Sequence, residues 1–181
     1  MVNYKFNKMS KAKLKKYLQN ISKEEVIDIV LQLYEATDQA KSWLEFYLQP
    51  NVDLELDKAK KSIYSQFYTR KDYPKDPSFR ECNKVISDLK KMVNDPNAIS
   101  DLMLYYIELG CEQIIEFGDF YESFYISLEN NFKKAVQFIS ANGLTSQFNS
   151  RILKMIESVD GTGWGFFDSL RELYEEYICE Y

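Results

Sequence analysis

Residues 119–144, DFYESFYISLENNFKKAVQFISANGL, decide the fold. Tyr121, Phe124, Tyr125, Leu128, Phe132, Ala135, Val136 and Ile139 recur at spacings of three and four, which gathers them on one face of an α-helix. Asp119 is a suitable N-cap and Glu122, three residues on, can complete a capping box. Asn142-Gly143 offers the left-handed turn that closes a helix, with Leu144 as the hydrophobic contact of a Schellman stop.

Reading outward from this helix, the same grammar repeats. Ser10 can cap a helix to about Asn20, and Ser22 with Glu25 forms a second capping box. The helix it opens can run to Leu48, weakest at Thr37-Asp38-Gln39, before Pro50 ends it. A third helix is expected from Asp53. Residues 69–77 (TRKDYPKDP) read as a connector, because two prolines and alternating charge give them no face to bury. Asp76-Pro77 and Asp95-Pro96 each pair a cap with a proline suited to a first helical turn. The second pair opens a helix to about Phe117, which Gly118 turns back against the 119–144 helix as an antiparallel hairpin. Helices over Phe148–Val159 and Asp168–Cys179 flank a glycine-rich break at 160–165. No stretch alternates with period two. The expectation is an all-α protein of seven or eight helices in antiparallel hairpins, an irregular bundle or a short HEAT-like stack. Residues 1–9 are read as a basic arm and 10–181 as one helical domain. A faint repeat (Leu14-Lys15-Lys16 to Glu35 against Leu89-Lys90-Lys91 to Glu108) is compatible with stacked hairpins.

Leu14-Lys15-Lys16-Tyr17-Leu18 with Ser22-Lys23-Glu24-Glu25, then Asp101-Leu102-Met103-Leu104, Ser123-Phe124-Tyr125 and Gly163-Trp164-Gly165, together resemble a family of small, functionally uncharacterised bacterial helical proteins. The resemblance implies an all-helical cytosolic fold and brings no activity, cofactor or catalytic residue.

Composition narrows the chemistry. The 181 residues contain no His, which removes the usual general base and every Ser-His or Cys-His nucleophile pair. Cys82, Cys111 and Cys179 are far apart, so neither a zinc knuckle nor a CxxC redox site is expected. The longest apolar run, Leu102–Ile107, is far short of the ~20 residues that span a bilayer. No secretory h-region is visible, and a cytoplasmic, non-membrane protein is expected.

Four features carry candidate chemistry. Residues 1–23 hold seven lysines (5, 8, 11, 13, 15, 16 and 23) and no acid, leaving −12 on the remaining 158 residues. Such an arm could follow a phosphate backbone, but with only four Arg in the chain a solvated or self-docked arm is the plainer expectation. Glu108, Glu112 and Glu116 align at i, i+4 and i+8. Without Glu-x-x-His partners they read as a water-exposed acidic stripe, with a carboxylate cation site left open. Asp160-Gly161-Thr162-Gly163-Trp164-Gly165 lacks a phosphate loop's lysine and reads as a turn whose rings pack down on the bundle. Tyr105-Tyr106, Phe120-Tyr121 and Phe124-Tyr125 read as core and core margin. No catalytic, cofactor-binding or metal-ligating residue is singled out and no cofactor is expected. The leading expectation is a non-enzymatic protein-interaction or scaffold module with an unidentified protein partner or a second copy. A nucleic-acid-associated protein using the lysine arm is the alternative.

Overall fold

Asp95 accepts from the backbone N–H groups of Asn97 and Ala98, and Pro96 takes the first helical position behind it. The helix so opened runs Pro96–Phe117 and carries thirteen buried residues along its 22 positions. In the computed structural model, which describes residues 9–118 and 120–179, this is the sixth of nine helices among the described residues. The all-α expectation holds, and the chain falls into two compact units divided after Pro50.

The first unit contains α1 (Lys11–Gln19), α2 (Lys23–Ala36) and α3 (Asp38–Leu48). Ser10 caps α1, and the Ser22–Glu25 capping box starts α2 with both reciprocal bonds formed. The long helix expected over 22–48 breaks at its weakest turn. Thr37 leaves helical geometry at φ −150°, and its side chain caps α3 through the Ala40 N–H. That break brings the helix count to nine. The two arms fold together, and the Tyr34 hydroxyl donates to Glu45 at 3.0 Å.

The second unit adds α4 (Val52–Phe67), α5 (Phe79–Met92), α6 (Pro96–Phe117), α7 (Glu122–Ala141), α8 (Thr145–Ser158) and α9 (Phe166–Tyr177). It is an irregular bundle in which α6 meets α4, α5, α7 and α8, while α9 closes on α7 and α8. A helix touched from four directions must be apolar on nearly all sides, and α6 is. Edge-to-face rings run through the core: Phe67 on Tyr106 with centroids 5.9 Å apart, Phe79 on Phe124 at 5.3 Å, and Tyr125 on Phe166 at 5.4 Å.

Several boundaries differ from expectation. α4 starts at Val52 with Asn51 as cap, not at Asp53. Ser78, not Asp76, caps α5, and Pro77 lies just before the helix. Asp76 instead accepts from the Tyr121 hydroxyl. Tyr121 holds the N-cap position of α7 without a side-chain cap; Asp119, expected there, lies outside the described residues. The C-terminal stop of α7 forms as read. Gly143 has φ +67°, its N–H donates to Ser140 O at 3.0 Å, and Leu144 N–H donates to Ile139 O at 3.0 Å. The connector folds back on itself through a single bridge between Tyr68 and Pro74. The buried Gln113 amide pins it to α6 by donating to Phe67 O at 2.8 Å.

α6 and α7 approach each other closely at Gly110. A Cβ at Gly110 would stand 2.4 Å from Leu128 Cδ2, and Leu128 is fully buried. Gly110→Ala is therefore expected to cost about 1–3 kcal/mol by overpacking. Leu128→Ala is expected to cost about 2–5 kcal/mol by opening a cavity. The double variant should lose clearly less than the sum, because the added methyl occupies space that the leucine vacates. Urea unfolding of the four proteins checks this, and strict additivity would show that the two side chains do not share that space.

Candidate functional site

Charged side chains converge where α8 lies on α6. Asp101 and Glu108 stand seven residues apart on one face of α6, and Arg151 of α8 reaches both. Its Nε and Nη2 donate to the two Glu108 oxygens at 2.6 and 2.7 Å, and Nη1 donates to Asp101. Lys60 of α4 pairs with the other Asp101 oxygen and lies 5.4 Å from the centroid of the Tyr105 ring. Beside this cluster, α6 and α8 enclose an open groove of about 560 Å³, lined by Glu108, Glu112, Ile115, Arg151, Lys154 and Met155 among others.

The electrostatics are those of a clasp. Burial alone would raise the Asp101 carboxyl, but hydrogen bonds from Lys60 and Arg151 outweigh it and hold it below the usual carboxylate range. Glu112 goes the other way: burial, then repulsion from Glu108 and Glu116, raises its pKa. Cys111, on the groove's inner wall, is buried and its thiol is pushed far up, so it is not a thiolate nucleophile. The guanidinium of Arg151 is already committed to two carboxylates. Among the described residues, no three His, Cys, Asp or Glu side chains converge as a metal site. The acidic stripe is thus corrected in part: Glu108 is a half-buried ion-pair partner, while Glu112 and Glu116 are exposed. Sequence reasoning missed Arg151 because its partners lie 43 and 50 residues away.

The remaining candidates separate. Tyr106, Phe124 and Tyr125 are buried and Tyr121 is half exposed, so the paired rings are core and margin. In the glycine-rich turn, Phe166 is buried but Trp164 stays 56% exposed with its indole N–H on Phe120 O at 3.2 Å. The expectation that all these rings pack down fails for Trp164, which sits at φ +62° and points its ring outward. Cys82 and Cys111 are buried and Cys179 is exposed, all as free thiols. Lys11, Lys13, Lys15 and Lys16 lie on α1 and are exposed, while Lys5 and Lys8 lie outside the described residues.

The first unit shows a different kind of surface. At ~100° per residue, Ile29, Leu33, Val26, Val30, Tyr34, Ile27 and Leu31 of α2 cover an arc of about 200°, twice what one packed neighbour needs. Val26 and Tyr34, about 40° to either side of Val30, are partly covered, but Val30 at the centre of the arc is 41% exposed and no residue of α1, α2 or α3 is buried. Leu31 is 55% exposed and Leu33 53%, and Tyr47 and Leu48 of α3 are more open still. In the sequence Val26, Ile29 and Leu33 follow one another at threes and fours as one stripe, and Ile27, Val30 and Leu31 add a second beside it.

The model of a family of unknown function (DUF6155) matches residues 9–177. No curated protein and no solved structure matches the chain.

The ion cluster makes a signed prediction. Arg151→Met should cost about 1.5–3 kcal/mol near neutral pH, the range for hydrogen bonds to charged groups. Asp101 is depressed in the fold, so it contributes stability above its unfolded pKa of about 3.9, and loses it as pH falls through the folded value. The cost of Arg151→Met should accordingly shrink on acidification. Glu112→Gln has the opposite sign. It removes a charge whose protonated form the fold prefers, so it should raise the unfolding midpoint at neutral pH, a gain that vanishes below about pH 4. Thermal melts of both variants across pH check this. A pH-independent Arg151→Met loss would mean that packing, not charge, is its contribution.

Proposed function

The chain belongs to that family of unknown function, and we propose that it is a non-enzymatic protein-interaction module whose α2–α3 hairpin receives an amphipathic helix of a protein partner. The single observation behind this reading is the α2 arc, apolar over about 200° and partly covered only at Val26 and Tyr34. Large exposed apolar surfaces mark interaction sites in soluble proteins, and a helical hairpin presents the groove into which a third helix packs at spacings of three and four. The acids on the polar side of α2 (Glu24, Glu25, Asp28 and Glu35) favour a partner helix with basic flanks. A chain without His, whose half-buried Arg151 is already bound by two carboxylates, supports binding over catalysis.

The experiment uses the full chain. A partner is crosslinked in the native cell, purified, and titrated against wild type and a Leu31→Glu/Leu33→Glu variant. Affinity should fall by a factor of about 30 or more in the variant, the loss of at least one interface hot spot of about 2 kcal/mol. The two melting curves should coincide, since both positions are exposed. Equal affinities would remove the hairpin from the interface. Sedimentation of the free chain tells whether the partner is a second copy. Titration with DNA and RNA across salt tests the nucleic-acid alternative. A salt-steep complex that disappears when Lys11, Lys13, Lys15 and Lys16 are neutralised would favour that reading instead.

A further inference from the structure

A second cleft, of about 310 Å³, opens between α5, α6 and α7, away from the Arg151 cluster. Asn83, Ser87 and Lys90 come from α5, Tyr106 from α6, and Asn131 and Lys134 from α7, with Ile86 and Met103 as apolar wall. No carboxylate lines it. That is unexpected in a chain of net charge −5, where acids outnumber bases 28 to 23.

Two further observations bear on the chemistry that the cleft can accept. The first is at the floor. Tyr106 is 1% exposed, and its hydroxyl accepts from Asn131 Nδ2 at 3.3 Å. Among the hydrogen bonds of the described residues, nothing accepts the Tyr106 proton, so a buried O–H donor is left unused. Such a donor ordinarily finds a partner. The second is at the mouth. Lys90 and Lys134 form no ion pair among the described residues, and the Lys90 ammonium rests 4.3 Å from the centroid of the Phe138 ring. Partial burial, then repulsion by Lys134, lowers the Lys90 pKa, which is how two uncompensated cations at one cleft behave.

We propose that this cleft binds a small phosphomonoester. The phosphoryl group is held between the Lys90 and Lys134 ammonium groups, the Tyr106 hydroxyl donates to the oxygen nearest the floor, and a compact apolar body lies on Ile86 and Met103. Two ammonium groups match the charge of a dianionic phosphate, and lysine serves such ligands as a point charge. Asn83, Ser87 and Asn131 supply neutral hydrogen-bonding groups for the ester side. The volume is at the lower end for a ligand site, which limits the body to about the size of one ring.

Isothermal titration of the full chain with phenyl phosphate and with inorganic phosphate tests the proposal. Both should bind, phenyl phosphate more tightly. Lys134→Met, a change on the exposed rim, should weaken both about tenfold or more, as expected for losing one charge-assisted contact. Tyr106→Phe keeps the ring and removes only the donor, so it should weaken both ligands with the far-UV spectrum unchanged. If Tyr106→Phe unfolds the chain, Lys134→Met and Lys90→Met still decide the case. No saturable binding of either probe by the wild type would overturn the proposal, as would unchanged affinity in the Lys90→Met/Lys134→Met protein. Inorganic phosphate binding as tightly as phenyl phosphate would overturn the apolar half of the site.

Discussion

The bundle depends on one close approach. At Gly110 the backbone of α6 meets the Leu128 side chain of α7 with no room for a methyl group between them. This lets the buried stripe of α7, from Phe124 through Leu128 and Phe132 to Ile139, lie directly on α6. Close contact there has consequences further along. The Gly143 turn reverses the chain into α8, and α8 comes back to α6 with Arg151 beside Asp101 and Glu108. With α4, α5, α7 and α8 all packed against it, α6 is covered along most of its length, and only Asn97, Glu112 and the last turn from Ile115 to Phe117 stay exposed. Its central residues, Leu102, Leu104 and Ile107, are accordingly fully buried.

Apolar burial drives this assembly but does not by itself fix how one helix is placed along another. Directional groups supply that. Gln113 donates to the backbone at Phe67 and again at Lys75, which ties both ends of the connector to the central helix. Arg151 donates to carboxylates two turns apart on α6, a spacing that a shifted α8 would not meet. Breaking either arrangement would strand polar groups in a poorly solvated place, so the alternatives are costly even where the ion pair adds little net stability. Ser100 Oγ and Gln113 Oε1 remain buried without a partner among the described residues, a modest cost against that gain.

What could be read in the sequence was whatever is decided within one or two turns. Ser10, Ser22 with Glu25, Asp95-Pro96 and Gly143 act where they were expected to act, because a cap and its backbone partner are three residues apart. Where two cap-competent residues lie within one turn, tertiary partners choose. Asp76 is occupied by Tyr121, and Ser78 caps α5 instead. The Arg151 cluster and the Lys90–Lys134 cleft could not be read, since each unites residues from separate helices whose pairing periodicity does not specify. The outward ring of Trp164 follows from its left-handed backbone conformation, which no pattern of apolar residues announces. The wide arc of α2 is legible in the sequence only when more than one stripe is counted along it. Counting one stripe per helix hides a helix with two, and Ile27, Val30 and Leu31 were the residues that distinguished them.

That second stripe bears on how α2 and α3 hold together. Their lengths, 14 and 11 residues, are at or below what sustains an isolated helix in water. One shared seam buries no side chain fully, so the hydrophobic term that stabilises the α4–α9 bundle is largely missing from this hairpin. Local devices remain: the Ser22–Glu25 box, the Thr37 cap and the Tyr34–Glu45 bond. These are exposed contacts in which water competes, enough to bias the two helices toward form but little beyond it. An apolar helix seated on the open flanks of α2 would supply the burial that the hairpin lacks, and by mass action would stabilise the helices that bind it. On the proposed reading, recognition and ordering would be one event, coupled through the exposed Leu31 and Leu33.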